Sequence, residues 1–301
     1  GYIYPAGGKQ GSTIYVTAGG QFLKSSARAF VSGEGVRAEV IKHYKPFRNI
    51  DRPQRQLLIR SLKEVRDKRL TELGIDPDRL RGRARNRKQP QQAAAENQRE
   101  TEVKMPEHPL LEDLHSKTLR ELAHIREMLF GSGKKRQINR QLAETVLIKI
   151  TVAGDAAPGP RELRILANTG LTKPVTFQVN TFPEVRELEP NNENSDQKKT
   201  AMARFFRNVE LPEARPIELP AVLNGQIMPG DIDRFRFLAA KGQKLVIETH
   251  ARSLIPYLAD AVPGWFQPVI AIYDEKGNEL AYADDYRFDP DPVLCYDITA
   301  S

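Results

Sequence analysis

The residues best suited to chemistry in this chain are oxygen donors. Glu187, Glu189, Asn191 and Asn192 stand at close spacing in an acidic, Asn-rich stretch, and Asp231 and Asp233 follow in a turn downstream. Carboxylates and side-chain amides are hard ligands, and Ca2+ gathers about six to eight such oxygens, so this is a set from which a calcium site can be made. The same residues equally suit a solvated acidic linker that caps a turn, because charge runs are commonly no more than wet faces. A second acidic group, Asp284, Asp285, Asp289 and Asp291, reads either as a cation-facing loop or as turn chemistry, in which aspartates bond to nearby backbone N–H groups.

Ligand contact of another kind is offered by Trp265 and Phe266, set between Pro263-Gly264 and Gln267-Pro268 with Tyr257 nearby. Aromatics on a loop hold sugars or peptides by stacking and apolar contact, or else they plug the end of a core. Catalytic patterns are missing. The five histidines form no HExxH, no serine lies in GxSxG, there is no phosphate-binding glycine loop, and acids close in sequence say nothing of their separation in space. The expectation is a chain without catalysis of its own.

The formal charge of +7 is concentrated in Arg79, Arg81, Arg83, Arg85, Arg87 and Lys88. Such a run can contact phosphates, but no aromatics interleave it for base stacking and no nucleic-acid motif accompanies it. It reads as a surface loop, with no specific nucleic acid as partner. No apolar window is long enough to span a bilayer as a helix. Cys295 is the single cysteine, which rules out an internal disulfide framework, and its place in a strand suggests a small buried hydrophobe.

The elements that must position these groups are mostly strands. Between Ser12 and Tyr44, β-branched and aromatic runs are separated by Gly19-Gly20 and Gly33-Glu34-Gly35, a strand-and-turn pattern. The pattern then changes. Asp51 suits a cap, Pro53 a first turn, and Leu57, Leu58, Ser61, Leu62, Val65 and Leu70 a helical stripe ending at Gly74. Residues 76–106 have almost no apolar anchors and read as a linker. A second helix is expected from Leu110 through Leu129, packed as a hairpin on the first, and a short third one through Leu142. Strands resume over 145–152, 161–167 and 175–179, and the economical arrangement is one β-sandwich, residues 1–182, interrupted by a helical insertion at about 46–142. Residues 183–210 form an acidic junction. From 211 a second sandwich begins, with strands at 221–227, 233–238, 244–250, 268–273 and 279–282. The fold class expected is mainly β, with two β-sandwich domains and an α-helical hairpin inserted in the first.

Four segments of that second unit carry a family resemblance. Gly230-Asp231-Ile232-Asp233-Arg234-Phe235-Arg236-Phe237, Ala240-Lys241-Gly242-Gln243-Lys244-Leu245, Pro268-Val269-Ile270-Ala271-Ile272-Tyr273-Asp274-Glu275-Lys276-Gly277 and Ala283-Asp284-Asp285, in this order and spacing, resemble the bacterial pre-peptidase C-terminal family. Tyr4-Pro5-Ala6-Gly7-Gly8 and Ala157-Pro158-Gly159-Pro160-Arg161-Glu162-Leu163-Arg164 look like the first and last strands of the Ig-like domain that precedes such units in large exported proteins of planctomycete-type bacteria. The helical insertion lies outside the resemblance. What the resemblance implies is a jelly-roll-like second sandwich, export to the periplasm, cell surface or medium, and a binding or scaffolding role toward an extracellular polymer or partner protein. It also implies further strands after Asp291-Pro292-Val293-Leu294, hence a chain that is part of a longer one. On that footing the chain is alternatively the accessory part of a secreted peptidase whose active site lies past Ser301, or one subunit of a cell-surface assembly. Related collagen-binding domains of secreted collagenases hold calcium with a similar acidic linker, which implies Ca2+ for the Glu187–Asn192 segment and, with a weaker match, for Asp231 and Asp233.

Overall fold

The computed structural model describes residues 1–47, 50–77, 103–130, 144–188, 205–206, 215–227, 232–254 and 267–299. Among these residues it is mainly β, with several antiparallel and mixed sheets and two α-helices of three turns or more. The N-terminal part contains β1 (Tyr2–Tyr4), β2 (Gly7–Lys9), β3 (Thr13–Gly20), β4 (Arg28–Val31) and β5 (Val36–Tyr44), then β6 (Glu144–Val152), β7 (Gly159–Ala167), β8 (Gly170–Leu171) and β9 (Val175–Asn180).

One sheet runs β1-β3-β6-β5 and is antiparallel throughout. The other runs β2-β9-β7-β4, with β8 beside β7, and its β2 lies parallel to β9. Alternation along each strand sends one set of side chains inward. Val16, Ala18, Val146, Ile148, Ile150 and Val152 from the first sheet meet Leu163, Ile165, Phe177 and Val179 from the second in a single buried cluster. The stretch between β5 and β6 leaves from and returns to neighbouring strands, so the segments flanking the helices share a sheet, as their strand patterns lead one to expect. Between Val40 and Lys42 the pairing shifts by a bulge.

Helix α1 (Arg52–Glu72) begins and ends on the residues whose types suit those positions. Asp51 accepts the Gln54 N–H at 2.7 Å, Pro53 lies in the first turn, and Gly74 at φ +76° closes the end. There the Gly74 N–H reaches the Thr71 carbonyl and the Ile75 N–H the Leu70 carbonyl, the paired bonds of a Schellman end. The second helix, α2 (Leu119–Phe130), is shorter than the apolar pattern suggests. Pro109–Leu111 and Leu114–Ser116 are 3-10 turns separated by Asp113 in the left-handed region, φ 51°, and α2 starts afresh with Thr118 and Glu121 exchanging bonds. The two helices pack through Leu58, Leu62, Val65, Leu70, Leu119, Leu122, Ala123 and Ile125. The segment expected to form a third helix lies outside the described residues. Tyr44 at the end of β5 donates to Glu112 at 2.8 Å, and Lys42 sits 3.5 Å from Glu107 and 3.6 Å from Glu112, which ties the helical unit to the sheet edge.

The C-terminal part is thinner. After β10 (Glu184–Arg186) come β11 (Val222–Asn224), β12 (Lys244–Glu248), β13 (Ile270–Tyr273), β14 (Glu279–Ala283) and β15 (Val293–Asp297). They pair two by two: β10 parallel to β11, and β12 with β15 and β13 with β14 antiparallel. The run 233–238, expected as a strand, alternates in burial but joins a neighbour only through a parallel bridge from Phe237 to Ile217. Cys295 corrects another expectation. It lies in β15 as expected, yet its side chain is on the exposed face opposite Leu294 and Tyr296.

Candidate functional site at the junction

Of the six oxygen donors singled out in the sequence, Glu187 and Asp233 are among the described residues, and the fold brings these two together. Strand β10 delivers Glu187 just past its end, while β11 leads into Gly225 beside it. A Cβ placed on Gly225 would stand 3.0 Å from Glu187 Oε2 and closer still to Asp233 Oδ2 than real Cβ atoms come. Two carboxylates therefore close on one backbone position, and any larger residue there would have to displace the tips of both side chains. Glu187 is buried, and its Oε2 accepts the Gln226 N–H at 2.7 Å.

Around this pair lies a polar staple between the N-terminal sheets and the C-terminal part. Asn224, 8 % exposed, accepts the Ala6 N–H on Oδ1 at 3.1 Å and donates from Nδ2 to Glu184 at 2.6 Å. Its backbone carbonyl takes the Tyr4 hydroxyl at 3.2 Å and the Glu187 N–H at 2.9 Å. Asn180 at the end of β9 donates to the other oxygen of Glu184 at 2.5 Å. Burial pushes the Glu184 carboxyl above its ordinary range in spite of these two amide donors. Tyr4 reports the field of the site. Burial first, then the charges of Glu187 and Asp233, hold its phenol far above the usual value, so it stays a neutral donor.

Chemically, two acids flanked by neutral oxygens offer the donors a hard cation takes, and the one hydroxyl described beside them, that of Tyr4, is held as a neutral donor to the Asn224 carbonyl. No group of three or more His, Cys, Asp or Glu that could hold a metal occurs among the described residues. A cation here would accordingly complete its shell from neutral oxygens or from the neighbouring acidic stretch. Glu189, Asn191, Asn192 and Asp231 lie outside the described residues, as do Tyr257, Trp265 and Phe266 and the Arg79–Lys88 run.

The second acidic group takes the turn-chemistry reading at Asp291. Its buried carboxylate accepts the N–H groups of Ala251, Arg252 and Ser253 at 3.1, 2.7 and 2.9 Å, capping the turn Arg252–Leu254. Burial opposes its charge, but these backbone donors outweigh it and hold the carboxyl below its ordinary value. Asp289 in turn accepts the Asp291 N–H at 3.0 Å.

Sequence reading missed Tyr4, Asn180, Glu184 and Asn224. The one available signal was the Asn224-Gly225 pair, a dipeptide that marks a backbone needing special freedom; the others look like ordinary strand ends until the chain is folded. No helix among the described residues is long and apolar enough to cross a membrane. No protein family matches the chain, and no curated protein or solved structure is significantly similar to it.

Proposed function

We propose that this chain is a non-catalytic, exported binding and scaffolding module, calcium-stabilised at the junction between an Ig-like sandwich and a pre-peptidase C-terminal-like one. The convergence of Glu187 and Asp233 on Gly225 is the observation that carries the reading. Bound there, Ca2+ would supply a compact positive charge beside both acids and a preference for oxygen ligands. Glu187 and Asp233 would hold it, with Glu189, Asn191, Asn192 and Asp231 as the further donors that sequence offers. Glu187 fixes the end of β10, Gly225 leaves the space, and Asp233 brings in the segment leading to Phe237. The staple through Asn224 keeps these parts registered on Tyr4 and Ala6.

Two features support the fold side of the reading. The spatial orders β1-β3-β6-β5 and β2-β9-β7-β4 support the Ig-like reading: with β2 and β8 set aside they correspond to A-B-E-D and G-F-C of a constant-type Ig sandwich, with the helical unit between D and E. In the C-terminal part the resemblance rests on the ordered motifs, whose loops, with Tyr257, Trp265 and Phe266, would face an extracellular polymer or protein.

Isothermal titration of the full chain with Ca2+ tests the site. Saturable heat is expected for the native sequence, with affinity weakened at least about tenfold by Glu187→Gln or Asp233→Asn, since each removes one of the few charged ligands. Equal heats in all three proteins would refute it.

A further inference from the structure

The core of the helix pair is completed by two residues from far outside the insertion. Phe205 and Phe206, 4 % and 1 % exposed, pack edge to face at 4.9 Å inside the cluster of Leu58, Leu62, Leu122 and Ile125. Polar groups on both helices are aimed at the same dipeptide. Arg66, 2 % exposed, donates from its guanidinium to the Phe205 carbonyl, 139 residues away in sequence, while also bonding Asp67. The planes of Arg66 and Arg126 lie over the Phe205 ring at 5.1 and 4.6 Å. An apolar pocket with a buried arginine addressed to a main-chain carbonyl has the build of a peptide site: the rings supply affinity and the fork reads the backbone.

We infer that the α1–α2 pair is a peptide-binding unit whose ligand is the chain's own Phe205–Phe206 segment. Its recognition chemistry is a di-aromatic step held by one guanidinium on its backbone and two on its first ring. A second contact sets the direction of the grip: Arg120 of α2 donates to the Leu188 carbonyl at 3.4 Å. The helix pair thus touches the acidic junction at two points, Leu188 and Phe205. This arrangement stands whether or not the junction takes a cation.

The test is amide hydrogen exchange of the full chain carrying Phe205→Ala and Phe206→Ala, with and without a synthetic peptide of residues 201–210. In the variant, exchange in α1 and α2 should rise by more than about tenfold while β3 and β6 stay unchanged, and the peptide should restore protection. A peptide with both phenylalanines changed to alanine should not restore it. Unchanged exchange in α1 and α2, or failure of the native peptide to restore protection, would overturn the inference. Should the double variant not fold, Phe205→Leu keeps the bulk and removes the ring under the two arginines. A rise of about threefold or more in helix exchange then supports the inference, and no rise refutes it.

Discussion

The two β regions of this molecule are written in the same alternating pattern and are held together differently. In the N-terminal one, two sheets face each other and bury Val16, Ile148, Ile150, Leu163 and Phe177 almost completely. Among the described strand residues of the C-terminal one, Ile272 and Leu294 are the buried hydrophobic side chains, each 6 % exposed, while Val246, Tyr273 and Tyr282, and Leu238 outside the strands, are more than half exposed. Alternation decides which side of a strand is apolar; burial requires a second layer against that side. Where the layer is thin, polar bonds must hold the chain. They do so at Asp291 and its three N–H donors, at Asp274, whose carboxylate accepts the N–H groups of Lys276 and Asn278 at 2.8 Å, and at the Asn224 staple. A region so built gains most from a bound cation, because ligand binding adds directly to a small folding free energy.

Core truncation should separate the regions most sharply. Phe177→Ala empties a fully buried site between the two sheets and is expected to cost about 3–5 kcal/mol, whereas Ile247→Ala in half-buried β12 should cost below about 2 kcal/mol. Urea unfolding of both variants checks this, and equal losses would erase the contrast.

Next in size is Asp291→Ala, which strands three backbone donors and should cost about 2 kcal/mol, read by exchange of residues 251–254. The sign of the pH effect follows from its lowered carboxyl: the folded state binds fewer protons than the unfolded one. Its contribution is therefore present above about pH 4, the ordinary range of an aspartate, and is lost as the pH falls further.

The smallest effect distinguishes the helix pair from both sheets. Burial lowers His108 and His124 to about 4, and the Nδ1 of His108 accepts the Leu110 N–H at 3.2 Å, a role that protonation removes. A folded value below the unfolded one, about 6.5, means stability is whole above that pH and declines between it and about 4. Helix exchange should quicken over this range before that of β3 or β6 does. His108→Gln, which cannot gain a charge there, should weaken the dependence and leave the share that His124 contributes.

Much of the scaffold was legible in the residues. Asp51, Pro53 and Gly74 carry the ends of α1 in their own side chains or backbone freedom, and the β runs on either side of the insertion announce themselves by period-two patterning. The start of the second helix was not, because Leu110, Leu111 and Leu114 fit a helical stripe while Asp113 adopts a left-handed backbone that breaks it. Arg66 and the Phe205–Phe206 dipeptide were invisible for a plainer reason: a contact across 139 residues leaves no periodicity to read. The site lay between these cases. Glu187 and Asp233 stand out as oxygen donors, but only the folding of β10 beside β11 shows that they share Gly225.

The most direct trial of the account is hydrogen exchange of the full chain across residues 222–227 and 232–237 with Ca2+ and with chelator. If the junction is held by a cation, Ca2+ should slow exchange there by more than about tenfold and leave β3 and β6 untouched. Identical exchange in both conditions, with Glu187 and Asp233 intact, would contradict it.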